Sequence, residues 1–68
     1  MSAAPSPHAR ALKALGAKLA DAGLTEGRLI AWLKEVQAVP REIFALQSIP
    51  TRRLEIILAN WNDILSRL

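Results

Sequence analysis

The sequence predicts an all-α fold, a three-helix bundle that in one of two interpretations has a short extra helix between its second and third helices. Apolar residues recur at spacings of three and four along most of the chain, which is the period of an amphipathic helix. Residues that start and stop helices separate these stretches. Hydrophobic residues make up 51% of the sequence, which is ample for a core. A chain of 68 residues forms one domain at most.

The first helix is predicted from its start signal and its apolar stripe. Residues 1–7 contain prolines among serine and alanine, which is typical of a linker or tail, so the domain is expected over residues 8–68. Ser6 suits the N-cap and Pro7 the first helical position. Gly16 lies inside this helix and is interpreted as a point where a neighbouring helix approaches closely, with simple tolerance as the alternative. The stripe consists of Leu12, Leu15, Leu19 and Ala22.

The junction between the first two helices carries the most specific local signals. Gly23 is placed to end the first helix in the left-handed conformation, and Leu24 to pack on Leu19 in a Schellman motif. Thr25 is then the N-cap of the second helix, and Leu24 also meets Leu29 as a hydrophobic staple. So short a turn predicts that the two helices are neighbours.

The second helix is expected over residues 26–38 and to end before Pro40, because a proline disfavours helical geometry in the preceding residue. Its stripe consists of Leu29, Trp32, Leu33 and Val36, with Ile30 at the margin. Residues 40–50 allow two interpretations, a short helix over 41–47 or an extended apolar connection. In either one, Phe44 or Leu46 is expected to fill the core.

The last helix is expected to begin after Pro50, with Thr51 as its N-cap, and to continue to the end of the sequence. Its stripe consists of Leu54, Ile57, Leu58, Trp61, Leu65 and Leu68. Ile56 falls nearly opposite this stripe and Ile64 at its margin. Together these two isoleucines are the candidate contact surface for a partner protein.

The segment Ala22-Gly-Leu-Thr-Glu-Gly-Arg-Leu-Ile-Ala-Trp-Leu-Lys-Glu35 resembles the small C-terminal helical module of phage single-strand annealing proteins of the ERF and RecT kind. In that module a helix ends at a Gly-Leu-Thr turn, and a Leu-x-x-Trp/Tyr-Leu helix, a loop and a closing helix follow. The resemblance extends over residues 8–66. Annealing in that family is carried by a larger N-terminal domain. The resemblance therefore implies an accessory module that contacts DNA or a replication-associated partner protein.

The sequence holds few residues that suit catalysis. It has no cysteine and no tyrosine, and its single histidine, His8, is expected to be a solvated residue at the start of the first helix. No two of its six acidic residues are spaced three or four apart, so neither a paired-carboxylate site nor a metal site is predicted. We therefore expect neither an enzyme nor a cofactor, a metal or a small-molecule substrate.

The net charge of +3 permits contact with nucleic acid without requiring it. Lys13 and Lys18 on the first helix, and the doublet Arg52-Arg53 at the start of the last, are candidate contacts for phosphates or for an acidic partner. The expected function is a non-catalytic interaction module that holds a partner protein, or another domain of a parent chain, through the last helix. The alternative is a DNA-contacting accessory module of a recombination or replication protein, with single-stranded DNA as its ligand. No secretory signal or membrane-spanning run is visible, so a cytoplasmic location is expected.

Overall fold

The computed structural model describes residues 4–68, and its regular structure is entirely helical, which confirms the all-α prediction. The last of the three expected helices is divided in two, so this range contains four α-helices and one 3₁₀ turn. They are α1 (Pro7–Ala22), α2 (Glu26–Glu35), the 3₁₀ turn Leu46–Ser48, α3 (Thr51–Ala59) and α4 (Trp61–Arg67). None of these helices has both the length and the apolar character needed to cross a membrane.

The predicted caps at the junction between α1 and α2 are confirmed, whereas the prediction that the two helices pack as neighbours is not, because α1 packs mainly against α3. Gly23 adopts a φ of 67°, and its N–H donates to the Ala20 carbonyl. The Leu24 N–H donates to the Leu19 carbonyl at 2.9 Å, which completes the Schellman motif. The Thr25 hydroxyl accepts from the Arg28 N–H at 3.2 Å and caps α2. The whole turn is thus specified by residues adjacent in sequence.

The start of α1 differs from the prediction in the role of its histidine. Ser6 caps the helix as expected, because its hydroxyl accepts from the Ala9 N–H at 3.1 Å. His8, however, is half-buried rather than solvated, and its Nε2 lies 2.9 Å from the Ile49 carbonyl oxygen. A carbonyl oxygen only accepts, so this ring nitrogen carries the proton. Of the expected linker, residues 1–3 lie outside the described range and Pro7 already belongs to α1.

The end of α2 comes earlier than predicted, and its cause is Gln37 rather than Pro40. Gln37 adopts a φ of 60°, in the left-handed region. Its N–H donates to the Lys34 carbonyl at 3.0 Å, and the Ala38 N–H donates to the Leu33 carbonyl at 2.8 Å. This is the same Schellman geometry as at Gly23, but with a side chain at the left-handed position. The helix therefore stops at Glu35, three residues before its predicted end at residue 38.

Replacing Gln37 with glycine is expected to raise the free energy of unfolding by about 0.5–1 kcal/mol. The left-handed conformation costs a non-glycine residue roughly 1–2 kcal/mol, which exceeds glycine's larger loss of chain entropy. Urea denaturation followed by tryptophan fluorescence measures the difference. Gln47→Gly is the matched control, because Gln47 is also exposed but has no positive φ, and this variant should be destabilised. Equal effects of the two substitutions would contradict the account of the α2 terminus.

The segment between α2 and α3 is mainly an extended connection, so the short helix predicted over 41–47 is wrong. Only the 3₁₀ turn Leu46–Ser48 is helical. Leu46 is 4% exposed and fills the core, whereas Phe44 is 80% exposed. The Glu26 carboxylate accepts from the Leu46 N–H at 3.0 Å and ties this segment to the first turn of α2. A bond between residues distant in sequence thus selects which apolar side chain is buried.

The break between α3 and α4 occurs at Asn60. Its side-chain amide donates to the Ile56 carbonyl at 2.8 Å, while its backbone N–H is shared between the carbonyls of Ile56 and Ile57. A side chain that competes for backbone carbonyls in this way interrupts helical bonding. α4 buries Trp61 and Ile64, whereas Leu65, which was expected in the stripe, is exposed.

The core lies between α1, α2 and α3 and is closed by the connecting segment and α4. It consists of Ala11, Leu15, Leu19, Leu29, Ile30, Leu33, Val39, Leu46, Ile49, Leu54, Ile57, Trp61 and Ile64. Trp61 is therefore a core residue as predicted. Trp32 is half-buried and packs against the same core. Gly16 does not mark a close approach: a Cβ atom built there would have no neighbour within 4 Å. That prediction is wrong.

Candidate functional site

The two isoleucines proposed as a contact surface lie in different environments. Ile56 on α3 is 45% exposed, whereas Ile64 on α4 is 7% exposed and belongs to the core. The sequence placed Ile64 at the margin of the apolar stripe of the last helix, but the structure buries it in the core. Ile64 is therefore removed from the candidate surface, and Ile56 remains.

The arginine doublet lies beside Ile56. Arg52 and Arg53 are both exposed, and with Pro50 and Ile56 they line a shallow groove of about 360 Å³. We call these four residues the α3 surface. Arg52 and Arg53 precede Ile56 by four and three residues, so all three side chains lie on neighbouring positions of one helix. The structure thus brings together two of the predicted charged contacts and one of the predicted apolar contacts.

Neither arginine of the α3 surface forms an ion pair with the described part of the chain. The ion pair that residues 4–68 do contain is Arg67 with Asp63, at 3.4 Å on the exposed side of α4. Its two residues are four positions apart on one helix, the spacing at which opposite charges meet. Because both of its side chains are exposed, it contributes only a few tenths of a kcal/mol. The charges of Arg52 and Arg53 therefore face solvent without a partner in residues 4–68.

The first turn of α3 is not capped as predicted. Pro50 takes the N-cap position with a φ of −57° and a ψ of 147°, and Thr51 is already the first helical residue. No side chain accepts a hydrogen bond from the helix start, and the first helical bond joins the Leu54 N–H to the Pro50 carbonyl. The backbone N–H groups at this end and the two guanidinium groups place positive charge together. Local electrostatics at the α3 surface therefore favour a negatively charged neighbour.

The lysines of α1 lie apart from this surface. Lys13 and Lys18 are exposed, and Lys18 borders a separate groove of about 300 Å³ that is also lined by Asn60, Asn62 and Asp63. That groove shares no residue with the α3 surface. Lys18 and the arginine doublet therefore border different grooves, one of which includes a carboxylate, and Lys13 borders neither of them.

Two further surface features were not predicted. Phe44 projects from the connecting segment with the Lys34 ammonium 4.0 Å from its ring centroid, a cation–π contact at an exposed site. A groove of about 430 Å³ runs beside Gly16 and is floored by side chains of α1 and of the 3₁₀ turn. No sequence pattern distinguishes an exposed phenylalanine in an apolar loop from a buried one, which is why the sequence left open whether Phe44 or Leu46 fills the core.

The described residues offer little for catalysis or metal binding. Within residues 4–68, no group of three or more histidine, cysteine, aspartate or glutamate side chains is arranged to hold a metal ion. The one histidine donates its Nε2 proton to the Ile49 carbonyl. Glu26 accepts from the Leu46 N–H and Asp63 pairs with Arg67, so these carboxylates have structural partners. On the described surface, the α3 surface combines exposed positive charge with an adjacent apolar side chain.

Comparison with protein-family models, with curated proteins and with solved structures gives no match to this chain.

Proposed function

We propose that this protein is a non-catalytic helical module that holds a partner protein through the α3 surface. The observation that carries the proposal is the exposure of Ile56 directly beside two arginines that have no ion-pair partner within residues 4–68. A single exposed aliphatic residue is ordinary on a protein surface. An aliphatic side chain flanked by arginines has the composition of a small interface, because arginine is enriched where proteins meet and carries much of their binding energy.

The alternative proposal, an accessory module that contacts DNA, draws on the resemblance to phage annealing proteins and on the basic residues. A nucleic-acid surface gains affinity by placing several cations along one face. Lys18 and the arginine doublet border different grooves, and Asp63 lies beside Lys18. This division favours the partner-protein proposal. Within it, the resemblance suggests a recombination or replication protein as the larger setting.

Replacing Ile56 with aspartate is expected to abolish partner capture without unfolding the domain. Ile56 is exposed, so the substitution buries no charge, but it removes the apolar contact and places an acid among the arginines. The immobilised protein is incubated with a lysate of cells that carry its gene, and the proteins retained by wild type and variant are compared by quantitative mass spectrometry.

Leu65→Asp is the matched control, because Leu65 is exposed to a similar degree but lies on α4. Proteins lost with Ile56→Asp and retained with Leu65→Asp are the expected partners. A set of retained proteins that is unchanged by Ile56→Asp would refute the proposal.

A further inference from the structure

We propose that the α3 surface recognises an acidic segment of the partner, in which one large aliphatic side chain is flanked by carboxylates. This inference rests on the proposed function, because it names the chemistry of the partner that α3 holds. Three observations carry it: the paired charges, the apolar groove beside them that Pro50 and Ile56 line, and the separation of this surface from Lys18.

The charges of the α3 surface call for carboxylates. Arg52 and Arg53 are adjacent, exposed and without an ion pair in residues 4–68. Their like charges repel each other, and both lie at the positive end of the α3 dipole. A carboxylate from a partner would offset both effects and would pair with a guanidinium through two parallel hydrogen bonds. The guanidinium is also less strongly hydrated than an ammonium, so less hydration is lost when the pair forms.

The groove explains why the segment must also be apolar. Pro50 and Ile56 contribute its apolar lining and the two arginines its rim, over a volume of about 360 Å³. Ile56 stands one helical turn, about 6 Å, beyond Arg52. A leucine or isoleucine with an acidic residue on either side therefore meets Ile56 while its neighbours meet the arginines. The aliphatic stems of both arginines extend the apolar contact.

A phosphate backbone matches this surface less well. Nucleic-acid affinity comes mainly from the number of phosphates neutralised, and the α3 surface supplies two adjacent cations. Lys18, which could add to the count, borders a different groove together with Asp63. The surface thus favours an acidic peptide over DNA.

Two fluorescein-labelled peptides test the inference by fluorescence anisotropy at low salt. In one a leucine has two glutamates on each side, and in the other glutamines replace the glutamates. We expect the wild-type protein to bind the glutamate peptide at least about fivefold more tightly, since two exposed ion pairs contribute up to about 1 kcal/mol each. The double variant R52Q/R53Q should lose about fivefold to tenfold in affinity for it, and I56D should lose at least as much.

The double variant K13Q/K18Q is the matched control. It removes the same net charge from exposed positions of α1, and its affinity for the glutamate peptide should change by less than about twofold. Circular dichroism confirms that each variant is folded. Equal binding of the two peptides, an equal loss in both double variants, or tighter binding of an oligothymidylate than of the glutamate peptide would overturn the inference.

The results of the two experiments distinguish refutation of the acidic-segment inference from refutation of the proposed function. If Ile56→Asp abolishes partner capture while the two peptides bind alike, the acidic chemistry is refuted and the interaction module stands. If Ile56→Asp leaves capture unchanged as well, both are refuted.

Discussion

Replacing Leu46 with alanine is expected to remove most of the protein's free energy of unfolding. Leu46 is buried among the side chains of α1 and α2, and truncating such a leucine costs about 2–5 kcal/mol. A domain of this size without disulfides has only about 3–5 kcal/mol of net stability. Circular dichroism in a urea titration, with extrapolation to zero denaturant, measures the loss.

Phe44→Ala is the matched control in the same connecting segment. Phe44 is exposed, and its ring makes a cation–π contact with the Lys34 ammonium. Truncation should therefore change the free energy of unfolding by less than about 1 kcal/mol. The reverse order, with Phe44→Ala the more destabilising, would show that the connecting segment packs its phenylalanine rather than its leucine.

Replacing Ile64 with aspartate should also unfold the protein. Ile64 lies in the core beneath α4, and an unpaired carboxylate there costs several kcal/mol unless it is protonated. The same substitution at Ile56 should change the melting temperature little, because Ile56 faces solvent. Thermal unfolding by circular dichroism compares the two variants directly. Similar melting temperatures would contradict the burial of Ile64 and the exposure of Ile56.

The parts of the fold that the sequence predicted well are those specified by neighbouring residues. The turn through Gly23, Leu24 and Thr25 needs only a residue that tolerates positive φ, an apolar contact and a hydroxyl cap. Every one of these acts within a few positions. Helix caps of this kind can be predicted from the sequence without knowledge of how the rest of the chain folds.

The parts predicted wrongly depend on competition or on distant contacts. Gln37 ends α2 in a conformation that glycine usually supplies, so its residue type carries no stop signal. At Asn60 the side chain takes a carbonyl that the helix would otherwise use, although the apolar stripe continues through it. The choice of Leu46 over Phe44 follows from the bond to Glu26, twenty positions earlier. None of these outcomes is set by periodicity.

The candidate surface was predicted in part for the same reason. Ile56 and the arginine doublet lie within one turn of a single helix, so their proximity follows from helical spacing alone. The burial of Ile64 depends on how α4 packs on the core, and the separation of Lys18 from the doublet depends on how α1 packs against α3. Both require the tertiary structure.

Chemical-shift mapping shows directly whether a partner protein binds on the α3 surface. The ¹⁵N-labelled protein is titrated with the purified captured protein, and amide resonances are followed in two-dimensional spectra. We expect the largest changes at Arg52, Arg53 and Ile56, with the amides of Lys13 and Lys18 unaffected. Changes concentrated on α1, or along the groove beside Gly16, would contradict the account.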